Sequence, residues 1–257
     1  MNKLMLAAAA SLGLLTAGVA LAPTGAQAAG EAVKPIQNEW NHDGVFGTFD
    51  RGAVQRGFQV YREICAACHG LDYMAFRTLS DIGFDEEQIK AIAAEYFVID
   101  GPDDEGEMFE RDGRPSDNYP NPFPNENAAR AANGGAYPPD LSLMTKARKD
   151  GVNYVYSLLL GYDEEKADDC GNAYYNTYFP GHCYGMPQPL YGDDVEYLDG
   201  TEATIEQQSA DVAQFLHWVA EPKLEQRKQT GLKVMIFLVI MTAIVFAYKR
   251  RIWADLH

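Results

Sequence analysis

The chain has 257 residues and is acidic, with 37 Asp and Glu against 21 Lys and Arg and a formal net charge of −16. This sign argues against nucleic-acid binding, because a protein that neutralises phosphates needs a basic surface. The acids are concentrated in three runs, within residues 100–112, 163–169 and 193–199, and such a surface can steer a basic partner protein. For any single run, a solvated surface is the simpler interpretation.

The first 28 residues have the pattern of a cleaved secretory signal peptide. Lys3 is followed by an apolar run to about Leu21, and the segment ends with a small-x-small site, Ala-Gln-Ala at 26–28. The alternative is an uncleaved membrane helix, which the Pro-Thr-Gly break at 23–25 disfavours. Because the leader lacks the Arg-rich, amphipathic pattern of a mitochondrial transit peptide, we expect export to a bacterial periplasm.

The most informative motif is CAACH at residues 65–69. Two cysteines three apart, followed directly by histidine, are what covalent attachment of a c-type haem requires. Each thiol forms a thioether with a haem vinyl group, and the imidazole of His69 reaches the iron. A thioredoxin-like pair would follow a buried strand, and a zinc site would need a second close ligand pair, but neither context surrounds Cys65 and Cys68. The motif therefore predicts a haem-carrying electron-transfer protein.

Helical periodicity predicts a mainly α fold. Soluble helices are expected over residues 52–63, 86–97, 153–160 and 204–218. The first and last of them are expected to pack together through their Gly57/Phe58 and Phe215/Leu216 faces, as the terminal helices of small c-type cytochromes do. Residues 100–127 are rich in Pro, Asp and Asn and are predicted to form an irregular loop. The expected fold is a class I c-type cytochrome core with long loop insertions.

One apolar stretch, Leu232 to Tyr248, is expected to span a membrane. As a helix it would be about 25 Å long, a little under the thickness of the bilayer core. A buried core helix is disfavoured because the stretch has no polar face. Basic residues lie on both sides of the stretch, so the charge distribution does not decide its orientation across the membrane. The predicted signal peptide does decide it. We expect a periplasmic cytochrome c domain (29–228), a transmembrane anchor (229–249) and a cytoplasmic tail (250–257), in the bacterial inner membrane.

Four methionines between the signal and the anchor are candidates for the second axial ligand of the iron. Met186 is favoured because two prolines stiffen the GMPQPL loop that would present its thioether. Met144 is the rival, with core packing as its alternative role, whereas Met74 lies too close to His69 and Met108 lies in an acidic loop. Bis-histidine ligation is the other alternative, using His42, His182 or His217. A Met ligand would raise the haem potential and leave no open site for O₂.

Four segments carry a resemblance to a known family. They are YREICAACHG around the haem motif, NAARAANGGAYPPDLS at 127–142, GMPQPL at 185–190 and DVAQFLHWVAEPKLEQRK at 211–228. Together they resemble cytochrome c1, the haem subunit of the cytochrome bc1 complex, over most of the mature chain. The resemblance implies that the haem is held by Cys65, Cys68 and His69, with Met186 as axial thioether, Arg130 against a haem propionate, and Tyr137, Pro138 and Pro139 in the pocket wall.

The function implied by this resemblance is electron transfer in a membrane quinol:cytochrome c oxidoreductase. Electrons would come from a Rieske iron–sulfur protein and pass through the haem to a basic, soluble or tethered cytochrome c. The chain would break no substrate bonds, and quinol oxidation would occur on the cytochrome b partner, in a complex that the family implies to be dimeric. The alternatives are a free-standing membrane-tethered cytochrome and a haem subunit of a terminal oxidase.

In an exported protein, the remaining pair, Cys170 and Cys183, is expected to form a disulfide, which would restrain the loop that presents Met186. A metal site made of this pair and His182 is the alternative, although it offers only three ligands. Gly185 stands where the family more often has Ala, a small change that is not expected to disturb ligation.

Overall fold

The computed structural model describes residues 33–256, so the predicted signal peptide lies outside the described part of the chain. The helices are α1 (Arg51–Glu63), α2 (Glu86–Ala94), α3 (Glu126–Ala132), α4 (Met144–Ala147), α5 (Gly151–Leu160), α6 (Ile205–Ala220) and α7 (Leu224–Ile252). Two short antiparallel sheets pair β1 (Phe97–Asp100) with β2 (Phe109–Asp112) and β3 (Tyr174–Tyr175) with β4 (Cys183–Tyr184). The mainly α fold that the sequence predicts is confirmed.

The largest helix contact of the fold joins α1 to α6. A Cβ on Gly57 would lie 2.0 Å from the carbonyl oxygen of Asp211, so the two backbones approach at a position that leaves no room for a side chain. The ring of Phe215 packs against those of Phe58 and Tyr61, with centroid distances of 5.5 and 5.7 Å. The predicted pairing of the first and last soluble helices is therefore confirmed.

The boundaries of these helices follow from their capping residues. Asp50 caps α1 by accepting a hydrogen bond from the amide of Ala53, and Thr204 caps α6 by accepting one from Gln207. Helix α5 begins at residue 151, two residues before its predicted start. Pro222 lies between the end of α6 and the start of α7, where it separates the soluble helix from the anchor as the sequence predicts.

The loop predicted over residues 100–127 is wrong in part. Residues 97–100 and 109–112 form a hairpin, and α3 begins within the same stretch, at residue 126. The strand sequence Phe-Val-Ile has high β propensity, and Arg111 offsets the local acidity by pairing with Asp100 and, at 2.6 Å, with Asp117. Helix α2 consequently ends at Ala94, three residues before its predicted end, because the chain turns into β1.

Helix α7 is continuous over 29 residues, a length of about 43 Å. Within residues 33–256 it is the one helix long and apolar enough to cross a membrane, and none of its apolar window is buried in the protein. The predicted anchor is confirmed, although the helix begins before it. The first turns of α7 contact the soluble domain, where the Glu225 carboxylate accepts a hydrogen bond from the amide of Phe49 at 2.8 Å and pairs with Arg51 at 2.9 Å.

Candidate haem site

The haem motif begins directly after α1. Cys65 to Ala67 form a single 3-10 turn, and the amides of Cys68 and His69 both donate to the carbonyl oxygen of Cys65, at 3.1 and 2.9 Å. The two thiols and the imidazole therefore lie within one turn of chain. Neither Cys65 nor Cys68 forms a disulfide. Burial, followed by the neighbouring Cys68, raises the pKa of the Cys65 thiol to about 12.

The imidazole of His69 is held in one orientation. Its Nδ1 lies 2.7 Å from the carbonyl oxygen of Pro139. Because a carbonyl oxygen only accepts, this contact places the hydrogen on Nδ1 and leaves the Nε2 lone pair free for a metal. Burial lowers the pKa of His69, which favours the neutral imidazole that metal binding requires. The residues present therefore fit a haem iron on the Nε2 side.

The PPDLS segment is fastened to the chain that follows His69. Three hydrogen bonds join them: Leu141 N to Gly70 O at 3.0 Å, Asp72 N to Asp140 Oδ2 at 2.7 Å, and Tyr73 N to Ser142 Oγ at 3.1 Å. The other oxygen of Asp140 accepts from the amide of Ser142 at 2.9 Å. These bonds fix the position of the Pro139 carbonyl relative to His69. The sequence identifies the segment but not this role of Asp140 and Ser142.

The loop that carries Met186 lies beside the same segment. Met186 is half-buried against the hydrophobic core. Its carbonyl oxygen accepts a hydrogen bond from the hydroxyl of Tyr162 at 3.1 Å. A Cβ on Gly185 would lie 3.2 Å from the Cβ of Ala136, three residues before Pro139. The structure thus brings the predicted axial methionine and the histidine-orienting proline into neighbouring segments, and Tyr162 is a positioning residue that the sequence did not reveal.

The other methionines have different surroundings. Met74 is buried in the core, with 3% of its surface exposed. Met108 is exposed in the turn of the β1–β2 hairpin. Met144 is the first residue of α4 and is half-buried against the core, as its packing interpretation predicts. Met74 and Met108 are therefore poorly placed to serve as ligands, and Met144 stays the rival of Met186.

The histidines of the bis-histidine alternative have partners of their own. The rings of His42 and His217 pack together with centroids 4.6 Å apart, next to Phe49. His182 stacks on Tyr175 with centroids 5.4 Å apart. These packed positions favour methionine ligation.

Cys170 and Cys183 form the predicted disulfide, with their Cα atoms 5.3 Å apart. The chain between them is ordered around Asn176, which is fully buried. Its side-chain amide donates to the carbonyl oxygen of Leu158 at 2.8 Å, and its Oδ1 accepts from the amides of Tyr178 and Phe179. The alternative metal site at this pair is wrong, because both sulfurs are used in the bridge.

The predicted propionate partner, Arg130, lies on the exposed surface of α3. Its guanidinium pairs with Glu126 at 2.7 Å, donates to the carbonyl oxygen of Gly135 at 2.9 Å and lies 5.5 Å from the centre of the Tyr137 ring. Arg130 and Tyr137 are thus neighbours, whereas the propionate contact stays a prediction. Pro138 is half-buried in the same loop.

A histidine with a free Nε2, placed directly after a cysteine pair, is typical of a cytochrome, and residues 33–256 add one helix that is long and apolar enough to span a membrane. These features define the class of protein as a membrane-anchored haem protein for electron transfer. Comparison with known proteins then gives the family. The model of the Cytochrome C1 family matches residues 40–256, and the chain belongs to that family.

Relatives in bacteria and plants support this assignment. The chain is 46% identical to "Cytochrome c1" of Rhodospirillum rubrum, with 94% of this chain and 96% of that protein covered. It is 48% identical to "Cytochrome b/c1" of Bradyrhizobium diazoefficiens over 87% of this chain but only 36% of that longer protein. It is 46% identical to "Cytochrome c1 1, heme protein, mitochondrial" of Arabidopsis thaliana, with 96% and 82% covered. None of these favours the free-standing carrier or the oxidase subunit.

Proposed function

We propose that this chain is the electron-transfer subunit of a cytochrome bc1 complex and carries one haem c. The proposal is carried by the contact of 2.7 Å between His69 Nδ1 and Pro139 O, directly after a cysteine pair, in a chain that matches the Cytochrome C1 family over residues 40–256. Among the relatives, the name "Cytochrome b/c1" joins c1 to cytochrome b in one protein, which supports cytochrome b as a partner.

Different residues would attach the haem, bind its iron and position the iron ligands. Cys65 and Cys68 would attach it through thioethers, while His69 Nε2 and the Met186 sulfur would bind the iron. When bound, the haem supplies an iron that alternates between Fe(III) and Fe(II). Pro139 fixes the imidazole through the carbonyl contact, and Tyr162 fixes the Met186 loop. Side chains restrained in this way would keep their positions when the iron changes its oxidation state, which favours rapid electron transfer.

The pocket surface and the acidic exterior would serve the partners. Arg130 would pair with a haem propionate, because a guanidinium matches a carboxylate bidentately, and Tyr137, Pro138 and Pro139 would form the wall. The electron would come from a Rieske iron–sulfur protein and go to a basic cytochrome c, attracted by the net charge of −16. The complex would be dimeric, with quinol oxidation on cytochrome b.

The expected location is the bacterial inner membrane. Residues 29–228 would lie in the periplasm, 229–249 in the bilayer and 250–257 in the cytoplasm. Helix α7, the one long apolar helix among the described residues, supports a membrane crossing there, and the relatives in Rhodospirillum and Bradyrhizobium fit a bacterial setting. In this arrangement, cleavage of a signal peptide over residues 1–28 would set the orientation of the chain across the membrane.

The test combines purification with one pair of variants. The protein is isolated from its native membrane through a tag at the C-terminus, and reduced-minus-oxidised spectra and the c-haem midpoint potential are recorded. We expect b-type haem to co-purify, Met186→Leu to lower the potential strongly, and the matched Met144→Leu to leave it unchanged. A lone c-type haem would instead indicate a free-standing carrier. A midpoint potential that falls only in the Met144→Leu variant would show that Met144, and not Met186, is the axial ligand.

A further inference from the structure

A loop beside the start of the anchor exposes two apolar side chains. Val45 is 63% exposed and Phe46 is 80% exposed. Both belong to the turn at residues 43–47, which we call the Phe46 loop. Exposure of adjacent large apolar residues costs solvation free energy, so it is typical of a surface that something else covers.

The Phe46 loop is a fixed structure. The amide of Thr48 donates to the carbonyl oxygen of Asn41 at 3.0 Å and closes the loop at its base. Gly44 has a left-handed φ of 68°, and a Cβ on Gly47 would lie 1.9 Å from the carbonyl oxygen of Asp43. This tight backbone holds Val45 and Phe46 outward in a defined conformation.

The Phe46 loop is fastened to the anchor helix. The ammonium of Lys228 in α7 donates to the carbonyl oxygens of His42 and, at 3.2 Å, Gly47. His42 is itself buried against Phe49 and His217. Between the loop and α7 lies a cleft of about 180 Å³ that is lined by Val45, Phe46, Gln229 and Leu232, among others. The exposed apolar pair is therefore continuous with the first residue of the apolar span.

The height of the Phe46 loop along α7 can be derived from helix geometry. Lys228 precedes Leu232 by four residues, which is about 6 Å along the helix axis. The headgroup layer on each side of the hydrocarbon core is about 5 to 8 Å thick. The loop therefore lies within the headgroup layer when the apolar span fills the core.

The charges at this level also fit a lipid surface. Lys223, directly before α7, and Arg227 and Lys233 on α7 are exposed, although Arg227 also pairs with Glu221. Asp43 is the exposed acid of the Phe46 loop itself. Exposed cations beside an apolar tip are the combination that anionic headgroups attract, and here they are a local exception in a chain with a net charge of −16.

We propose that Val45 and Phe46 insert into the boundary between the headgroups and acyl chains of the bilayer, as a second membrane contact beside α7. Aromatic and aliphatic side chains are stable at that boundary. One helix alone leaves the soluble domain free to tilt, whereas a second contact joined to α7 through Lys228 fixes its height and orientation. The proposal depends on α7 as the anchor and is independent of which residues bind the haem iron.

The test measures how deeply position 46 lies. Phe46→Cys is labelled with a nitroxide in the intact holoprotein complex, reconstituted into phosphatidylcholine and phosphatidylglycerol vesicles. The native cysteines are held in the disulfide and in the proposed thioethers, so the unsubstituted protein serves as the labelling background. Power-saturation electron paramagnetic resonance then compares collisions with O₂, which enriches in lipid, and with a water-soluble nickel chelate.

The matched control is Phe97→Cys, at a residue that is 67% exposed. It lies on β1, two residues after Glu95, which pairs with Arg62 at the end of α1 remote from the Arg51–Glu225 contact. We expect O₂ collisions to exceed nickel collisions at position 46, and the reverse at position 97. Val45→Cys should behave like Phe46→Cys, which guards against a local disturbance by one substitution.

Two results would overturn the proposal. Frequent nickel collisions at position 46, equal to those at position 97, would place the Phe46 loop in water. Few collisions with either reagent would show that a protein partner covers it. An unchanged c-haem spectrum in each labelled variant verifies that the soluble domain is folded.

Discussion

The Nδ1 atom of His69 lies 2.7 Å from the carbonyl oxygen of Pro139, a residue 70 positions further along the chain. This contact favours the tautomer that leaves Nε2 without a hydrogen, and it joins the haem motif to the PPDLS segment. The rigidity of the contact comes from Asp140, because its two carboxylate oxygens accept from the amides of Asp72 and Ser142. Substitution of Asp140 should therefore change the midpoint potential of the haem, although the Asp140 side chain is not a proposed ligand of the iron.

We expect Asp140→Ala to raise the midpoint potential of the haem and to destabilise the protein by about 2 to 4 kcal/mol, because two charge-assisted hydrogen bonds are lost. A weaker hold on the Pro139 carbonyl makes the imidazole a poorer donor to Fe(III), and loss of a nearby negative charge acts in the same direction. Redox titration and chemical denaturation measure the two effects. Asp104→Ala, which removes an exposed acid in the hairpin turn, is the control. Equal potentials in both variants would contradict the positioning role.

Tyr162→Phe tests the support of the Met186 loop. Removal of the hydroxyl deletes the hydrogen bond of 3.1 Å to the Met186 carbonyl oxygen, at an expected cost of about 1 kcal/mol. We expect faster binding of cyanide to the ferric haem and a weaker Fe–S charge-transfer band, because the thioether leaves the iron more often. Tyr191→Phe changes an exposed tyrosine of the same stretch and should have no effect. Identical cyanide kinetics in the two variants would show that the loop is held by other contacts.

The disulfide should restrain the same loop from its other side. Replacement of both Cys170 and Cys183 by Ser opens a bridge with a sequence separation of 13, which loop-closure entropy values at about 3 kcal/mol. We expect lower stability and a lower midpoint potential, since Met186 is lost from the iron more readily. Redox titration of the double variant against the parent protein measures this. A potential that stays unchanged would limit the role of the bridge to stability.

The acceptor-docking prediction concerns the charge of the surface. A basic cytochrome c should be reduced more slowly as salt is added, because screening shortens the range of attraction to about 8 Å at physiological ionic strength. Some acids are already neutralised internally, such as Asp163 by Lys166 and Asp199 by Arg56 at 2.8 Å. Charge reversal of exposed acids that take part in none of these ion pairs, Asp103 and Asp104 first, should therefore reduce the salt dependence of the reduction rate. Charge reversal of Asp199 should reduce it less. A reduction rate that does not change with salt concentration would show that electrostatic steering does not contribute to docking of the acceptor.

Local patterns explain which parts of the fold could be predicted. The predicted start of helix α1 agrees with the structure to within one residue, because its apolar periodicity is a local signal. The β1–β2 hairpin was missed because its stability depends on Arg111 pairing with Asp100 and Asp117, which no short window shows. The proline, aspartate and asparagine residues around the hairpin are typical of loops, and they led to the loop prediction.

The same distinction applies to the site. Cys65, Cys68 and His69 are recognised from their spacing, because attachment chemistry demands adjacent residues. Asp140 and Tyr162 could not be found in this way, since each acts through a backbone group that only the tertiary structure brings near. A polar residue directly after a Pro-Pro pair is the nearest sequence signal for Asp140, and it is too common to be specific.

The last prediction concerns acid stability and His42. Burial, together with the nearby charges of His217 and Lys228, lowers the pKa of His42 from 6.5 to about 3. The folded protein therefore holds His42 neutral, while the unfolded chain takes up a proton as the pH falls below 6.5. The stabilisation from neutral His42 is complete above that pH and is lost, by up to about 1.4 kcal/mol per pH unit, as the pH falls towards 3.

His42→Phe keeps an aromatic ring between Phe49 and His217 and removes the titrating group, whose Nδ1 is buried without a hydrogen-bond partner in the structure. We expect the variant to lose less stability than the parent between pH 6.5 and 4.5, as measured by denaturant unfolding at each pH. The pKa of His217 is also lowered by burial, and because His217 is present in both proteins, the difference between them reports mainly on His42. Parallel stability curves would mean that the folded protein admits a proton to His42.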